Sequence, residues 1–418
     1  MKFGLFYEHQ LPKPPDKEQW DPDAEHQMMK NALDQLELAD SIGFDYCFEV
    51  EHHFLEEYSH SSAPEVFLAA VSQRTKNMRL GHGIVLMPPR YNHPARVAER
   101  IATLDLVSDG RVEFGTGESS SEMEMGGFGV DREDKKQMWE ESVRECVKMM
   151  TETPYPGVEG AYFGMPSRNV VPKPLQKPHP PLWVASSRRE TTMVGARLGM
   201  GSLGFSFETP EEAEERANTY YQLVREECYP IGKAINPALG VVSVLSCFDS
   251  DEEAIEKGQE GAQFFAYSLA YYYNPFTGGA HRPGQKNIYG DFYNAPEDQR
   301  WGPFGEAFRG FGGFGGGGAG EKEPENETTR ALWRAAQRGG CIGNPEFIKD
   351  TLRKYEQSHL DLMIFVAQCG ARKHEDVMDS IYRTGTKVIP EFKERHAEHQ
   401  KWRSKQLEGV EYPINSTI

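Results

Sequence analysis

The strongest constraint on this 418-residue chain is a rhythm in which short, continuous apolar runs of strand length are each followed by a segment with helical spacing. The strands read as Lys2 to Tyr7, Phe44 to Val50, Arg79 to Leu86, Arg111 to Gly115, Leu182 to Ala185, Gly201 to Phe205, Ala238 to Cys247 and Leu360 to Val366. Runs that do not alternate with polar residues belong to strands buried on both faces, the parallel type covered by helices. Between them apolar residues return every three or four positions, as with Met28, Met29, Leu33, Leu36 and Ala39 in Glu25 to Ile42, or Met138, Val143, Val147 and Met150 in Glu133 to Met150. Gly43 closes the first of these helices as a left-handed C-cap, and Pro94 opens another. The count of eight strands predicts an α/β fold, a closed (β/α)8 barrel in preference to a doubly wound sheet. One barrel is expected over 1–393, with insertions at about 154–181 and 274–330, and 394–418 reads as a charged surface helix with a loose tail.

The first insertion is proline-rich, with a hairpin near Tyr162. The second contains Gly302 to Gly320, where ten glycines interleave with Phe304, Phe308, Phe311 and Phe314, a composition that suits neither helix nor central strand. Gly310 to Gly315 formally satisfies G-x-G-x-x-G, but no strand leads into it and no helix follows, so a dinucleotide-binding turn does not fit. It reads as a mobile lid with aromatic anchors.

In such barrels chemistry collects at the C-terminal ends of the strands, which places Glu8, His9, Glu51, His52, His82, Gly117, Ser186 and Ser187 at one mouth. His52 and His53 are adjacent, so along an extended chain only one of them points inward. Glu51 fits a carboxylate that orients an imidazole. A metal centre is disfavoured, because neither H-x-H nor H-E-x-x-H occurs near these strand ends. Gly115 to Ser121 and Ser186 to Thr192 follow strands with small hydroxyls, and the second adds arginines and opens a helix, the ingredients of an anion cradle.

With 64 acidic against 46 basic residues, the net charge of -18 leaves no concentrated basic face for nucleic acid. Six scattered cysteines without a C-x-x-C pair point to a reduced, cytoplasmic setting. The apolar start, Phe3 to Tyr7, is broken by Glu8, so neither a signal peptide nor a membrane span is expected.

Several short motifs in order carry a resemblance to a known family: Met1-Lys2-Phe3-Gly4, Gly43-Phe44-Asp45, Glu51-His52-His53-Phe54, Gly81-His82-Gly83-Ile84-Val85-Leu86, His93-Pro94, Ser108-Asp109-Gly110-Arg111, Ile342-Gly343-Asn344-Pro345-Glu346 and Val388-Ile389-Pro390. The chain resembles the bacterial luciferase-like flavin monooxygenases over nearly its whole length. That resemblance implies a barrel, usually dimeric, that accepts reduced FMN from a separate flavin reductase and reacts it with O2, so that a flavin C4a-hydroperoxide oxygenates a small organic substrate. His52 matches the family's essential histidine; Glu51 beside it is read from its position alone as the supporting carboxylate. The flavin ring is implied to lie on a strand-three bulge at His82-Gly83, where the family has a non-proline cis peptide. The phosphate is implied to sit among Gly117, Glu118, Ser119, Ser186, Ser187 and Arg188. Glu118 departs from the pattern, since an acid stands where luciferase has an arginine, and Arg188 or Arg189 then takes its place.

Two other readings compete with the reduced-FMN monooxygenase. One is an F420-dependent hydride-transfer oxidoreductase of the same superfamily; the other is a catalytically silent flavin-binding accessory protein, against which His52 argues. The aromatic load from Phe264 to Phe276 suggests an apolar or aromatic substrate.

Overall fold

The computed structural model describes residues 1–186, 189–205, 210–273, 283–284, 286–295 and 340–418. The strands are β1 (Lys2–Tyr7), β2 (Tyr46–Glu49), β3 (Arg79–His82), β4 (Val85–Leu86), β5 (Val112–Gly117), β6 (Tyr155–Glu159), β7 (Gly164–Arg168), β8 (Leu182–Ala185), β9 (Gly201–Phe205), β10 (Leu239–Cys247), β11 (Gly340–Gly343) and β12 (Leu362–Val366). Eight of them, β1, β2, β3, β5, β8, β9, β10 and β12, pair in parallel and close on themselves through β9–β10 and β12–β1. The short β4 and β11 pair in parallel with β5 and β10, while β6 and β7 form the hairpin expected around Tyr162. The chain is therefore a (β/α)8 barrel.

Helices α1 (Ala24–Ile42), α2 (Pro64–Arg74), α3 (Pro94–Val107), α4 (Glu122–Phe128), α5 (Lys135–Thr151), α6 (Arg189–Arg197), α7 (Pro210–Glu226) and α8 (Asp251–Tyr273) run outside the strands or over their ends. α9 (Ile288–Asn294), α10 (Pro345–Gln357), α11 (His374–Arg383) and α12 (Ile389–Gln406) follow among the described residues, the last two joined by a π-helical turn at Thr384–Val388. Gly43 caps α1 at φ 99°, as a left-handed C-cap requires. The glycine-rich stretch lies outside the described residues. Among the described residues no helix is long and apolar enough to cross a membrane.

The barrel interior is filled by large side chains from alternate positions: Phe6, Tyr46, Phe48, Trp183, Leu203, Val242, Leu362 and Ile364. Phe48 stacks edge-on against Trp183 at 5.8 Å, and the indole donates to Glu113 Oε2 at 2.6 Å. These rings explain the glycines of β3, because a Cβ on Gly81 would meet the Phe48 ring at 2.2 Å and one on Gly83 would meet Phe6 and Phe48 at 3.0 and 3.1 Å. Gly81 thus yields space to the core, while Gly83, which the sequence suggested gives way to a ligand, is crowded by the core and also borders the cavity. β3 breaks after His82 and resumes as β4, so the expected bulge is present. The cis peptides among the described residues all precede proline, at 154, 172 and 178, so the implied non-proline cis peptide at His82-Gly83 is not found.

The C-terminal segment is bound to the barrel. Asp361 accepts hydrogen bonds from Leu239 N, Tyr221 Oη and His399 Nε2, each at 2.7 Å, and pairs with Arg403 Nε at 3.0 Å. Residues 414–418 continue this attachment: Ile414 bridges Ile235, Thr417 Oγ donates to Glu113 at 2.6 Å, and Arg403 binds Ser416 and Ile418. A loose tail was expected because charged residues dominate the segment, but its buried arginine and histidine serve Asp361.

Candidate active site

β1 continues its inward line, Gly4 and Phe6, to Glu8, and β2 continues Tyr46, Phe48 and Val50 to His52. Both side chains reach a cavity of about 410 Å³ at the C-terminal ends of the strands. Its wall is apolar, built from Phe6, Val50, Ile84, Leu86, Val184 and Leu203, and its polar margin carries Glu118, Ser119, Lys136, Ser186 and Thr191. A wider, more open depression of about 710 Å³ lies at the opposite end beside Lys2 and Arg79. There the charges are already paired, Lys2 with Asp45 and Arg79 with Glu113, so the chemistry belongs to the smaller cavity.

His52 is held on three sides. Nδ1 lies 2.9 Å from Glu124 Oε1, Nε2 lies 3.5 Å from Glu8 Oε2, and Tyr273 Oη lies 3.2 Å from Nε2. Its backbone N–H donates to Ser61 O at 2.8 Å. Burial disfavours the imidazolium, but the neighbouring acids, Glu124 first, outweigh it and raise the His52 pKa to about 9. Glu124 keeps its charge: burial opposes it, yet His52, Ser119 Oγ at 2.5 Å and His53 N at 2.9 Å hold its carboxyl below the usual range. Burial, reinforced by Glu124 and Glu8, pushes the Tyr273 phenol well up, so it remains an O–H donor.

Glu124 is the partner that sequence reasoning missed. Ser121-Glu122-Met123-Glu124 is an S-x-x-E capping box, a signal for α4 that the serine-rich run obscured. The box is left open, because Ser121 makes no side-chain cap and Glu124 turns to His52. Glu124→Gln is therefore expected to lower the His52 pKa from about 9 toward or below its ordinary value, since burial then acts with its leading opposing charge removed. The pair's stabilising contribution, complete below about pH 6.5 and lost as pH rises through 9, should shrink accordingly. NMR titration of the His52 ring checks both statements.

Glu51 does not orient His52. Its side chain leaves the strand on the helix side, where Oε2 accepts from Leu86 N at 2.8 Å and Oε1 accepts from Asn92 Nδ2 at 2.7 Å and lies 3.1 Å from His53 Nε2. It ties down the bulge instead. His82 likewise faces the helices, buried among Glu65 and Arg100; burial pushes its imidazole down to about 4, and it does not line the cavity. The cause is the alternation along β3: if the two glycines face inward, the histidine between them faces outward. His9 also turns outward, to Glu49 at 3.1 Å.

At the polar margin Gly83, Gly117, Glu118, Ser119 and Ser186 line the cavity. Ser187 and Arg188 lie outside the described residues. Two of the expected hydroxyls are committed elsewhere, Ser119 Oγ to Glu124 and Ser186 Oγ to Leu203 O at 3.3 Å. Glu118 is offset by Lys135 at 3.3 Å, and Lys136, which sequence reasoning did not single out, lines the cavity beside it. Arg189 is turned away to Glu215. A planar, largely apolar ring with an anionic tail fits this donor set: the ring against the apolar wall, the tail toward Lys136, Thr191 and the N-terminus of α6.

The family model for luciferase-like monooxygenases matches residues 1–362. An uncharacterised protein of Sinorhizobium fredii is 33% identical over 175 residues, 41% of this chain and 50% of its own length. The oxygenase component of the flavin-dependent trigonelline monooxygenase of Acinetobacter baylyi is 26% identical over 258 residues, 61% of this chain and 69% of its own. The chain thus spans about half the length of some of the curated relatives it matches. Among solved structures, the oxygenating constituent of 3,6-diketocamphane monooxygenase from Pseudomonas putida, in complex with FMN, superposes with a TM-score of 0.65 at 17% identity, over 93% of this chain and 98% of its own. F420-dependent enzymes share the fold as well. On the length of the family match and the agreement in fold, this chain belongs to the luciferase-like monooxygenase family.

Proposed function

We propose that this chain is the oxygenating component of a two-component system, using reduced FMN and O2 to oxygenate a small, apolar or aromatic organic substrate. The observation that carries the reading is His52, an imidazolium clamped between Glu124 and Glu8 on the wall of an otherwise apolar cavity. Relatives support it through their own reactions: limonene 1,2-monooxygenase of Rhodococcus erythropolis is among those matched. When bound, reduced FMN supplies the two electrons that activate O2. The residues of the chain do the rest. The apolar wall excludes water and receives the ring; Lys136, Thr191 and the α6 N-terminus hold the phosphate; His52 donates and recovers a proton at Nε2, with Glu124 fixing its orientation through Nδ1. A separate flavin reductase, a homodimeric state and a cytoplasmic setting belong to the same proposal.

The test is a pair of anaerobic titrations, reduced FMN and F420, followed by turnover under ¹⁸O2 with a flavin reductase and a panel of apolar substrates. Preferential binding of reduced FMN and one labelled oxygen in the product are expected. Tight F420 binding with hydride transfer and no label would replace this reading with the F420-dependent one.

A further inference from the structure

Glu8 has no role in the account so far beyond its charge, yet its surroundings are unusual. It is 2% exposed and lines the cavity; Oε1 accepts from Tyr58 Oη at 2.8 Å, while Oε2, 3.5 Å from His52 Nε2, has no hydrogen-bond partner. A buried carboxylate oxygen left bare is costly, and it costs less when the carboxyl is protonated and neutral.

Hydrogen-bond counts decide which of the two acids beside His52 is the charged one. Glu124 receives from His52, His53 N and Ser119, as an anion does. Glu8 receives only from Tyr58. One imidazolium between two ionised carboxylates would leave a net negative charge in an apolar site, and a proton kept on Glu8 makes the group neutral. The charged or titratable groups facing Glu8 are His52, Glu124, Tyr58, Tyr273 and His9, and burial raises its pKa above the ordinary value despite His52 and Tyr58.

We propose that Glu8 is a second acid of this site, a carboxyl group that delivers a proton from Oε2 into the cavity. This rests on the monooxygenase reading above. The reaction balances as substrate plus O2 plus reduced FMN giving oxygenated substrate, oxidised FMN and water, and the oxygen atom that departs as water must take up protons. The Glu8 O–H bond breaks toward that oxygen; the carboxylate so formed, steadied by Tyr58, takes a proton back from His52 Nε2, and the imidazole regains one from solvent. Two acids in series let the proton be given from a neutral donor while His52 stays paired with Glu124.

The test begins in the flavin-free protein, where it does not depend on the reaction. Infrared difference spectra between wild type and Glu8→Gln at neutral pH are expected to show the loss of a carboxylic-acid C=O band, and the His52 ring is expected to titrate almost as in wild type, since an uncharged group has replaced an uncharged one. Loss of a carboxylate band instead, or a fall in the His52 pKa as large as that caused by Glu124→Gln, overturns the proposal. In turnover, Glu8→Gln is expected to lower kcat by about 10²-fold, with reduced-FMN affinity retained and Glu8→Asp recovering part of the rate; an unchanged kcat also overturns it. Failure to bind reduced FMN at all counts against the monooxygenase reading, while the spectra still decide the state of Glu8.

Discussion

Replacing His52 by alanine is expected to reduce substrate oxygenation by about 10²–10⁴-fold while leaving reduced-FMN affinity nearly unchanged. The size follows from its place: it is the imidazole that reaches the cavity wall, its charge is maintained chiefly by Glu124, and Tyr273 borders its Nε2 edge. The variant should fold, because Glu124 keeps Ser119 Oγ and His53 N as donors and because the backbone bond from residue 52 to Ser61 O survives. Product formed per reduced FMN consumed, measured beside hydrogen peroxide release, checks the assignment. His53→Ala is the control, since His53 turns to Glu51 and packs against Phe128 at 4.9 Å, and its effect should be much smaller. Equal losses in the two variants, or full activity without His52, would refute the role given to it.

Asp361→Ala is expected to cost about 3–5 kcal/mol of folding stability. The carboxylate is fully buried, and its removal strands Arg403, which is 5% exposed, together with the Tyr221 hydroxyl and Leu239 N–H. Burial works against the Asp361 charge, but Arg403 and His399 outweigh it and hold the carboxyl below the usual range. Its stabilising contribution is therefore complete above an ordinary aspartate pKa and lost as pH falls through the depressed value. Urea unfolding at neutral pH measures the loss, and a midpoint within experimental error of wild type would sink the claim. Protease sensitivity should appear first in 407–418, which Arg403 ties to the barrel.

The barrel itself was legible because eight apolar runs, continuous enough to be parallel strands, favour a closed barrel over a doubly wound sheet. The residues entering the mouth were only half legible. Glu8 and His52 continue inward lines set by Phe6 and Phe48, which a period of two along each strand recovers. Glu51 and His82 were misplaced because strand-end position was taken without asking which face each residue occupies, and the Phe48 ring decides that for His82 by demanding glycine at 81. Glu124 lies 72 residues from His52, and no local spacing reports such a pairing. The tail was misread for a related reason: composition describes Arg403 and His399 as solvent-seeking, but only the fold supplies the buried aspartate that recruits them.

The filled interior has a kinetic consequence. With Phe48 and Trp183 packed beneath the cavity and residues 414–418 fastened across the opposite end, the described barrel forms a blind well. Whatever sits deepest must enter first and leave last. On the proposed function, a cofactor seated against Phe6 and Val242 would form the floor on which substrate lands, and ordered addition, cofactor before substrate, is the expected kinetic pattern.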